Sequence, residues 1–254
     1  MAKRKAPCAA PPAPETDIEA TPEMGVTPEA APITEMIRSH NLKFPLDRAV
    51  LRPRIRQSLR ANGYERKETD AVLRVVKPTD TVIELGAGIG YMSTLMAMRC
   101  GATVHAFEGN PGLIPYIRSV HAANGATRAT VHHALIAEET GEVDFYVRKN
   151  ILASSMTPLE KEPHLSVAKV ETRAAREVFE AIRPTVLVCD IEGAEAHVIP
   201  MLPLEGLRAA VVELHPQWIK QAGVKAVFDA FAAAGLTYFP QASEAKVVTF
   251  LRGW

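Results

Sequence analysis

The sequence predicts an α/β protein with a mostly parallel, seven-stranded sheet and helices on both faces. Two observations predict it. After residue 82, short apolar runs rich in β-branched residues alternate with longer amphipathic runs. That order builds parallel strands joined by crossover helices. Within it, the strand-like run Val82-Ile83-Glu84-Leu85 meets Gly86-Ala87-Gly88-Ile89-Gly90, and a helix-like run from Tyr91 to Met98 follows at once. A buried strand, a glycine turn and a helix N-terminus fit that pattern. Glycine at these positions lets the backbone approach a ligand with no Cβ in the way.

The elements follow in order. Residues 1–34 are rich in Pro, Ala, Glu and Thr, have little to bury, and read as a disordered tail. Residues 35–80 read as an N-terminal helical segment. One helix is expected over Asp47–Ala61, with Pro53 disturbing it or starting a new one, and Asn62-Gly63 closing it. A second is expected over Glu65–Val76, before the turn Lys77-Pro78-Thr79-Asp80. The ligand-binding domain is placed at 81–254. Its strands are expected near 81–85, 103–107, 129–133, 143–148, 185–189, 209–214 and 246–251. Its helices are expected near 91–99, 111–124, 173–182, 194–201 and 222–234. Ligands in such sheets bind at the carboxyl ends of the strands. Glu84, Glu108, Asp190 and Glu213 all fall at or beside those ends.

Composition narrows the function classes. The chain has 254 residues and 47% hydrophobic content, enough for one α/β domain with a core. Lys+Arg and Asp+Glu each number 29, so no whole-protein basic field exists for nucleic acid. Cys8, Cys100 and Cys189 lie far apart and show neither metal-ligand spacing nor a disulfide framework. No apolar run approaches the roughly 20 residues that span a bilayer. The basic start Met1-Ala2-Lys3-Arg4-Lys5 lacks a following apolar stretch, so a cytoplasmic protein is expected. Basic residues are frequent over 48–77, and a solvated helical face is the ordinary account of them.

Glycine spacing separates cofactor classes. Dinucleotide enzymes use G-x-G-x-x-G. Here the third glycine comes one residue early, and Tyr91 stands where that pattern has glycine. Glu84-x-Gly86-x-Gly88-x-Gly90 resembles the first motif of class I S-adenosylmethionine (SAM)-dependent methyltransferases, whose fold is Rossmann-like. The resemblance implies that Gly86, Ala87, Gly88 and Gly90 pass under the methionine part of SAM and that Glu84 helps place its ammonium group. The next strand ends at Glu108, where a carboxylate can accept both ribose hydroxyls. Gly109 and Asn110 adjoin it. The third strand passes near the adenine, with Ala134 offering backbone and His133 a polar side chain.

A second signature is Leu187-Val188-Cys189-Asp190-Ile191-Glu192-Gly193-Ala194-Glu195. A buried strand ends in a carboxylate, and a helix starts with two more. The helix dipole accounts for Glu192 and Glu195, at about 0.3–1 kcal/mol each; it does not account for Asp190. With Phe107-Glu108-Gly109-Asn110-Pro111, the glycine motif and Glu213-Leu214-His215, this run resembles the FkbM family of methyltransferases over roughly residues 64–254. The chain departs from that family in having Gly109 where Pro is frequent and Val188 where Lys is common.

The resemblance implies methyl transfer from SAM to a hydroxyl on a sugar, glycan or natural-product acceptor. The sulfonium donor reacts in line, so the acceptor oxygen must be held at about 3 Å from the methyl carbon. An alcohol also needs a group to take its proton. Asp190 is the first candidate for positioning the acceptor or acting as base, His215 is the second, and Glu192 and Glu195 support either. Glu192 and Glu195 also offer oxygen ligands for a divalent ion, but no Asp-x-Asp pair stands at the strand end and no residue is assigned to a metal. His197 reads as a helix-face histidine. Residues 150–172, with Ser154, Ser155 and Met156, are expected to shape the acceptor pocket. Two other readings stand beside this one. The first is an RNA or protein methyltransferase on the same fold, motivated by the basic 48–77 segment. The second is a non-catalytic SAM-binding protein.

Overall fold

The computed structural model describes residues 35–148 and 164–254. The expected tail at 1–34, together with Ser154, Ser155 and Met156, lies outside the described residues.

The segment read as helical opens instead with a hairpin, β1 (Met36–Ser39) and β2 (Leu42–Pro45). His40 and Asn41, its loop residues, both have positive φ (47° and 65°), as a two-residue loop matching the strand twist demands. The first helix starts at the proline: α1 is Pro53–Arg60, not Asp47–Ala61. Proline lacks the N–H that a helix interior needs but suits its first turn. Asn62 (φ 53°) then closes α1 with Asn62 N–H on the Leu59 carbonyl and Gly63 N–H on the Ser58 carbonyl, the paired pattern of a left-handed cap. Helix α2 spans Arg66–Val75.

The main domain runs β3 (Thr81–Leu85), α3 (Tyr91–Leu95, continued by a π turn to Cys100), β4 (Thr103–Glu108), α4 (Ile114–Asn124) and β5 (Ala129–His133). Then come β6 (Leu135–Ala137), β7 (Gly141–Arg148), β8 (His164–Ala174), α5 (Ala175–Ile182) and β9 (Val186–Cys189). The chain ends with α6 (Glu195–Val198), β10 (Ala209–Glu213), α7 (Pro216–Ala233), β11 (Thr237–Tyr238) and β12 (Val247–Leu251). The sheet has seven strands in the order β11-β12-β10-β9-β3-β4-β5. Within it, β10, β9, β3, β4 and β5 pair in parallel, and β12 is antiparallel to β10.

One expected member is different. The 143–148 strand lies in a separate three-stranded sheet, β6-β8-β7, and β11 takes the seventh place in the main one. Strand β7 finds its hydrogen bonds in an antiparallel pairing with β8, so it needs no place in the parallel ladder.

Period-2 alternation sorts the sheet's side chains onto two cores. Val82, Val188 and Val211 belong to the core shared with the hairpin and α1–α4, whereas Ile83, Leu85, Leu187, Cys189 and Val212 belong to the core under α5–α7. The same alternation puts Glu84, Asp190 and Glu213 in phase with the first set, toward α2. Tyr91 is fully buried and joins the hairpin to the sheet. Its ring stacks on Phe44 and its hydroxyl lies 2.7 Å from His40 Nδ1. Among the described residues, no helix is long and apolar enough to cross a membrane.

Candidate active site

The glycine turn has the backbone its composition predicts. Gly86, Gly88 and Gly90 have φ of 87°, 54° and 72°, a region that side chains with a Cβ resist. Two of them are also held by close packing. A Cβ on Gly86 would lie 1.8 Å from the Asp190 carbonyl oxygen, and one on Gly90 would lie 2.9 Å from Ile117 Cγ2. Gly86 thus lets the ends of β3 and β9 close on each other. The Gly86 and Ala87 N–H groups bond the Phe107 carbonyl at 3.0 and 3.3 Å, and Gly90 N–H bonds Ala87 O.

Glu108 ends β4 beside this turn. Its Oε2 accepts Gly88 N–H at 2.9 Å and its Oε1 accepts Asn110 N–H at 2.7 Å. Burial raises its pKa, and the N–H donors of Asn110, Gly88 and Gly109 oppose the rise. A carboxylate has about four lone-pair sites, so the fixed Glu108 keeps acceptor capacity beyond these N–H donors. His133 Nε2 lies 3.2 Å from the Gly109 carbonyl, and Ala134 is fully buried. Gly109 has a packing reason of its own: a Cβ there would come within 2.8 Å of both Leu135 and Phe145.

Glu84 is 2% exposed, and its Oε2 has no hydrogen-bond partner. Burial pushes its pKa well up, although a hydrogen bond from Ser93 works against that. A buried carboxylate oxygen without a donor costs several kcal/mol if charged. The position therefore suits a cationic ligand.

The second signature forms a tight loop. Glu192 and Gly193 both have positive φ (51° and 102°). Glu195 is fully buried, and its Oε1 accepts Gly193 N–H at 2.9 Å and approaches His215 Nδ1 at 2.8 Å. The other ring nitrogen of His215, Nε2, faces Glu192 Oε2 at 3.4 Å and Asp190 Oδ1 at 3.8 Å. Burial alone would lower the His215 pKa. The Glu195 hydrogen bond and the carboxylates of Asp190, Glu195 and Glu192 outweigh burial and hold it above the usual value. Asp190 is pushed well up by burial and by Glu213, Glu65 and Glu192. Glu192 is raised too, mainly by burial. His197 is exposed on α6, away from this network.

The structure brings together Asp190, Glu192 and His215 as the sequence reading grouped them. Glu195, one of the two acids read as support for Asp190 or His215, is the hydrogen-bond partner of His215. The structure also adds Glu65 and Glu68, which the sequence reading passed over. These two line one cleft with Glu84, Gly86, Met92, Asp190 and Glu213. Their only sequence signal is i,i+3 spacing at the start of a helix. Glu65 is in the left-handed region (φ 44°, ψ 44°) and hydrogen-bonds Tyr64, and burial lifts its pKa to about 8. Asp190, Glu213 and His215 each offer a ligand atom, all within 4.8 Å of one another. That cluster already has a cation, since Lys246 Nζ lies 2.6 Å from Glu213 Oε1.

Residues 84–242 match the family described as Methyltransferase FkbM domain. Three solved structures illustrate the likeness in chain path. A precorrin-6y C5,15-methyltransferase from Geobacter metallireducens GS-15 is 13% identical with a TM-score of 0.43, over 75% of this chain and 89% of that one. A ribosomal protein L11 methylase from Lactobacillus delbrueckii subsp. bulgaricus is 12% identical with a TM-score of 0.42, over 74% and 77%. TYW2 of M. jannaschii, in complex with AdoMet, is 13% identical with a TM-score of 0.45, over 85% and 82%. No curated protein matches the chain. The family match takes in more than half of the sequence and includes the glycine turn, Glu108, the Asp190–Glu195 loop and His215. On that match, the chain belongs to the FkbM methyltransferase-domain family.

Proposed function

We propose that the protein is a SAM-dependent O-methyltransferase acting on a hydroxyl of a sugar, glycan or natural-product acceptor. The observation that carries the cofactor reading is the pair of carboxylates flanking the positive-φ glycine turn. Glu84 is buried with an oxygen that lacks a donor, which suits the cofactor's ammonium. Glu108 is pinned by two backbone N–H groups with lone pairs to spare, which suits the ribose diol. Gly86, Ala87, Gly88 and Gly90 bring bare backbone between them. Gly109, Asn110, His133 and Ala134 adjoin Glu108 and form the wall toward the adenine. When bound, SAM supplies an electrophilic methyl group on a sulfonium.

The rest falls to the chain's own side chains. Asp190, at the carboxyl end of β9, orients the acceptor hydroxyl. His215 receives its proton at Nε2, because Nδ1 is engaged with Glu195. A carboxylate on the far ring nitrogen fixes the tautomer and stabilises the imidazolium as it forms. Glu192 reinforces that charge from the solvent side.

The test is cofactor binding. Calorimetric titration of SAM into the purified protein gives a measurable affinity, and Glu108→Ala weakens it by roughly tenfold or more, the worth of a charge-assisted bidentate contact. Unchanged affinity in that variant would refute the assignment. The nucleic-acid reading has less to build on. Arg66 and Lys67 pair with Glu244, and Arg74 bonds the Gln241 carbonyl. Arg52, Arg54 and Arg56 remain for it, and salt-dependent RNA binding that disappears on their replacement would favour it.

A further inference from the structure

We propose that Glu65 and Glu68, carried by a segment that precedes the family domain, make the aminoacyl pocket discriminate by charge. The pocket would hold SAM more tightly than the product S-adenosylhomocysteine. This rests on the cofactor reading above.

One cleft gathers five carboxyl groups. Glu65, Glu68, Glu84, Asp190 and Glu213 all line it. Glu213 has Lys246 as its counter-ion, and Asp190 faces His215. Glu84 is the carboxylate that the cofactor's ammonium would satisfy. Among the described residues, Glu65 and Glu68 form no ion pair. Glu65 has only the neutral hydroxyl of Tyr64 as a hydrogen-bond partner. Glu65 stands at the N-terminal end of α2, and Glu68 follows one turn on. Both lie outside the matched 84–242 region.

SAM carries an ammonium, a carboxylate and a sulfonium, so its net charge is +1. In the transfer the S–CH3 bond breaks and the O–CH3 bond forms. The C–S electron pair returns to sulfur, and the acceptor proton leaves to His215. The product is then a neutral thioether with net charge zero, its ammonium unchanged. Glu84 serves both molecules equally. Once ionised, the two additional carboxyl groups attract only the molecule that still carries the sulfonium, and its positive charge in turn favours their ionisation, through a half-buried medium that screens less than water. A ligand separates two states only by its differential interaction with them, and here the difference between substrate and product is one positive charge.

The experiment compares three ligands by calorimetry: SAM, S-adenosylhomocysteine and sinefungin, whose amine places a positive charge near the sulfonium position. Wild type is expected to bind S-adenosylhomocysteine about tenfold more weakly than SAM, with sinefungin on the SAM side. Glu65→Gln and Glu68→Gln, each near-isosteric, are expected to narrow the gap to about threefold or less. They should do so by weakening SAM and sinefungin, not the thioether. A second measurement uses unmodified protein: Glu65, raised to about 8, is charged at about pH 9 and neutral at about pH 6, so lowering the pH across that range closes the gap in the same way. Equal or tighter binding of S-adenosylhomocysteine by wild type, or an unchanged ratio in both variants, overturns the inference. Failure of wild type to bind any of the three would instead overturn the cofactor reading.

Discussion

Gly86 carries two requirements at once, a φ of 87° and a neighbour that a Cβ would meet at 1.8 Å. That neighbour is the Asp190 backbone carbonyl, which cannot rotate away as a side chain can. Gly86→Ala is therefore expected to cost about 3 kcal/mol or more, read as a lower urea midpoint. His215 gives a prediction of opposite character, one of chemistry with little change in fold. Its pKa is held above the usual value by Glu195 and the neighbouring carboxylates against burial. The groups facing it are Asp190, Glu192 and Glu195, with Glu213 and its partner Lys246 beyond. Glu195→Gln removes the charge that favours the imidazolium, so the ring titrates at lower pH. Ring-nitrogen NMR of His215 reads this directly, and an unmoved titration would remove Glu195 from the proposed role. The strand-end positions of Glu84, Glu108 and Asp190 were legible in the sequence because each lies at or beside the end of an apolar run. The Glu195–His215 contact was not, since its members are distant in sequence and meet only once β9 and β10 pair.

Strands buried on both faces were readable, whereas the hairpin and the eleven-residue β8 are absent from the expected elements. Strands β3, β4, β9 and β10 fall where alternation and apolar runs put them, because both faces of each are buried. The hairpin β1–β2 was missed. Its strands have four residues each, too few for a period, and its loop is His40-Asn41, without the glycine that marks most such turns. Strand β7 was found but placed in the wrong sheet, because alternation reports a strand and not its partner. Helix α7 begins at Pro216, earlier than its apolar period suggests, and is broken at Lys220 (φ 58°, ψ −177°). Glycine alone adopts that conformation readily. Lys220→Gly is therefore expected to raise the urea midpoint by the equivalent of about 1 kcal/mol, the relieved strain less the entropy cost of glycine. A lower midpoint would mean that the Lys220 Nζ bond to the Gln217 carbonyl (2.7 Å) outweighs the strain.

At the scale of the whole molecule, the acidic cleft ties stability to pH. Glu65 is raised from 4.5 to about 8, Glu68 is raised as well, and Glu84 and Asp190 are pushed well up, each mainly by burial. A carboxyl with a raised folded pKa binds more protons when folded than when unfolded. Its contribution is complete below the unfolded value near 4.5 and is lost as pH rises through the folded value. Asp80 has the opposite sign. Burial would raise it, but hydrogen bonds from Arg208, Lys77 and Thr185 bring it below 3.8, so its contribution is complete above the unfolded value and constant at neutral pH. Below about pH 6.5 the trend is opposed by His121 and His132, which burial lowers to about 4, and by His105, which burial also lowers. The free protein is thus expected to lose thermal stability from about pH 6.5 to about pH 8, and Glu65→Gln to flatten that fall. Saturating SAM should flatten it too, since a cation in the cleft lowers the cost of ionising its walls. S-adenosylhomocysteine should flatten it less. Melting temperatures across that range, with and without each ligand, test the set together. A free protein whose stability rises over the window would show that the cleft carboxyls ionise without penalty, and the electrostatic basis for selecting the sulfonium would go with it.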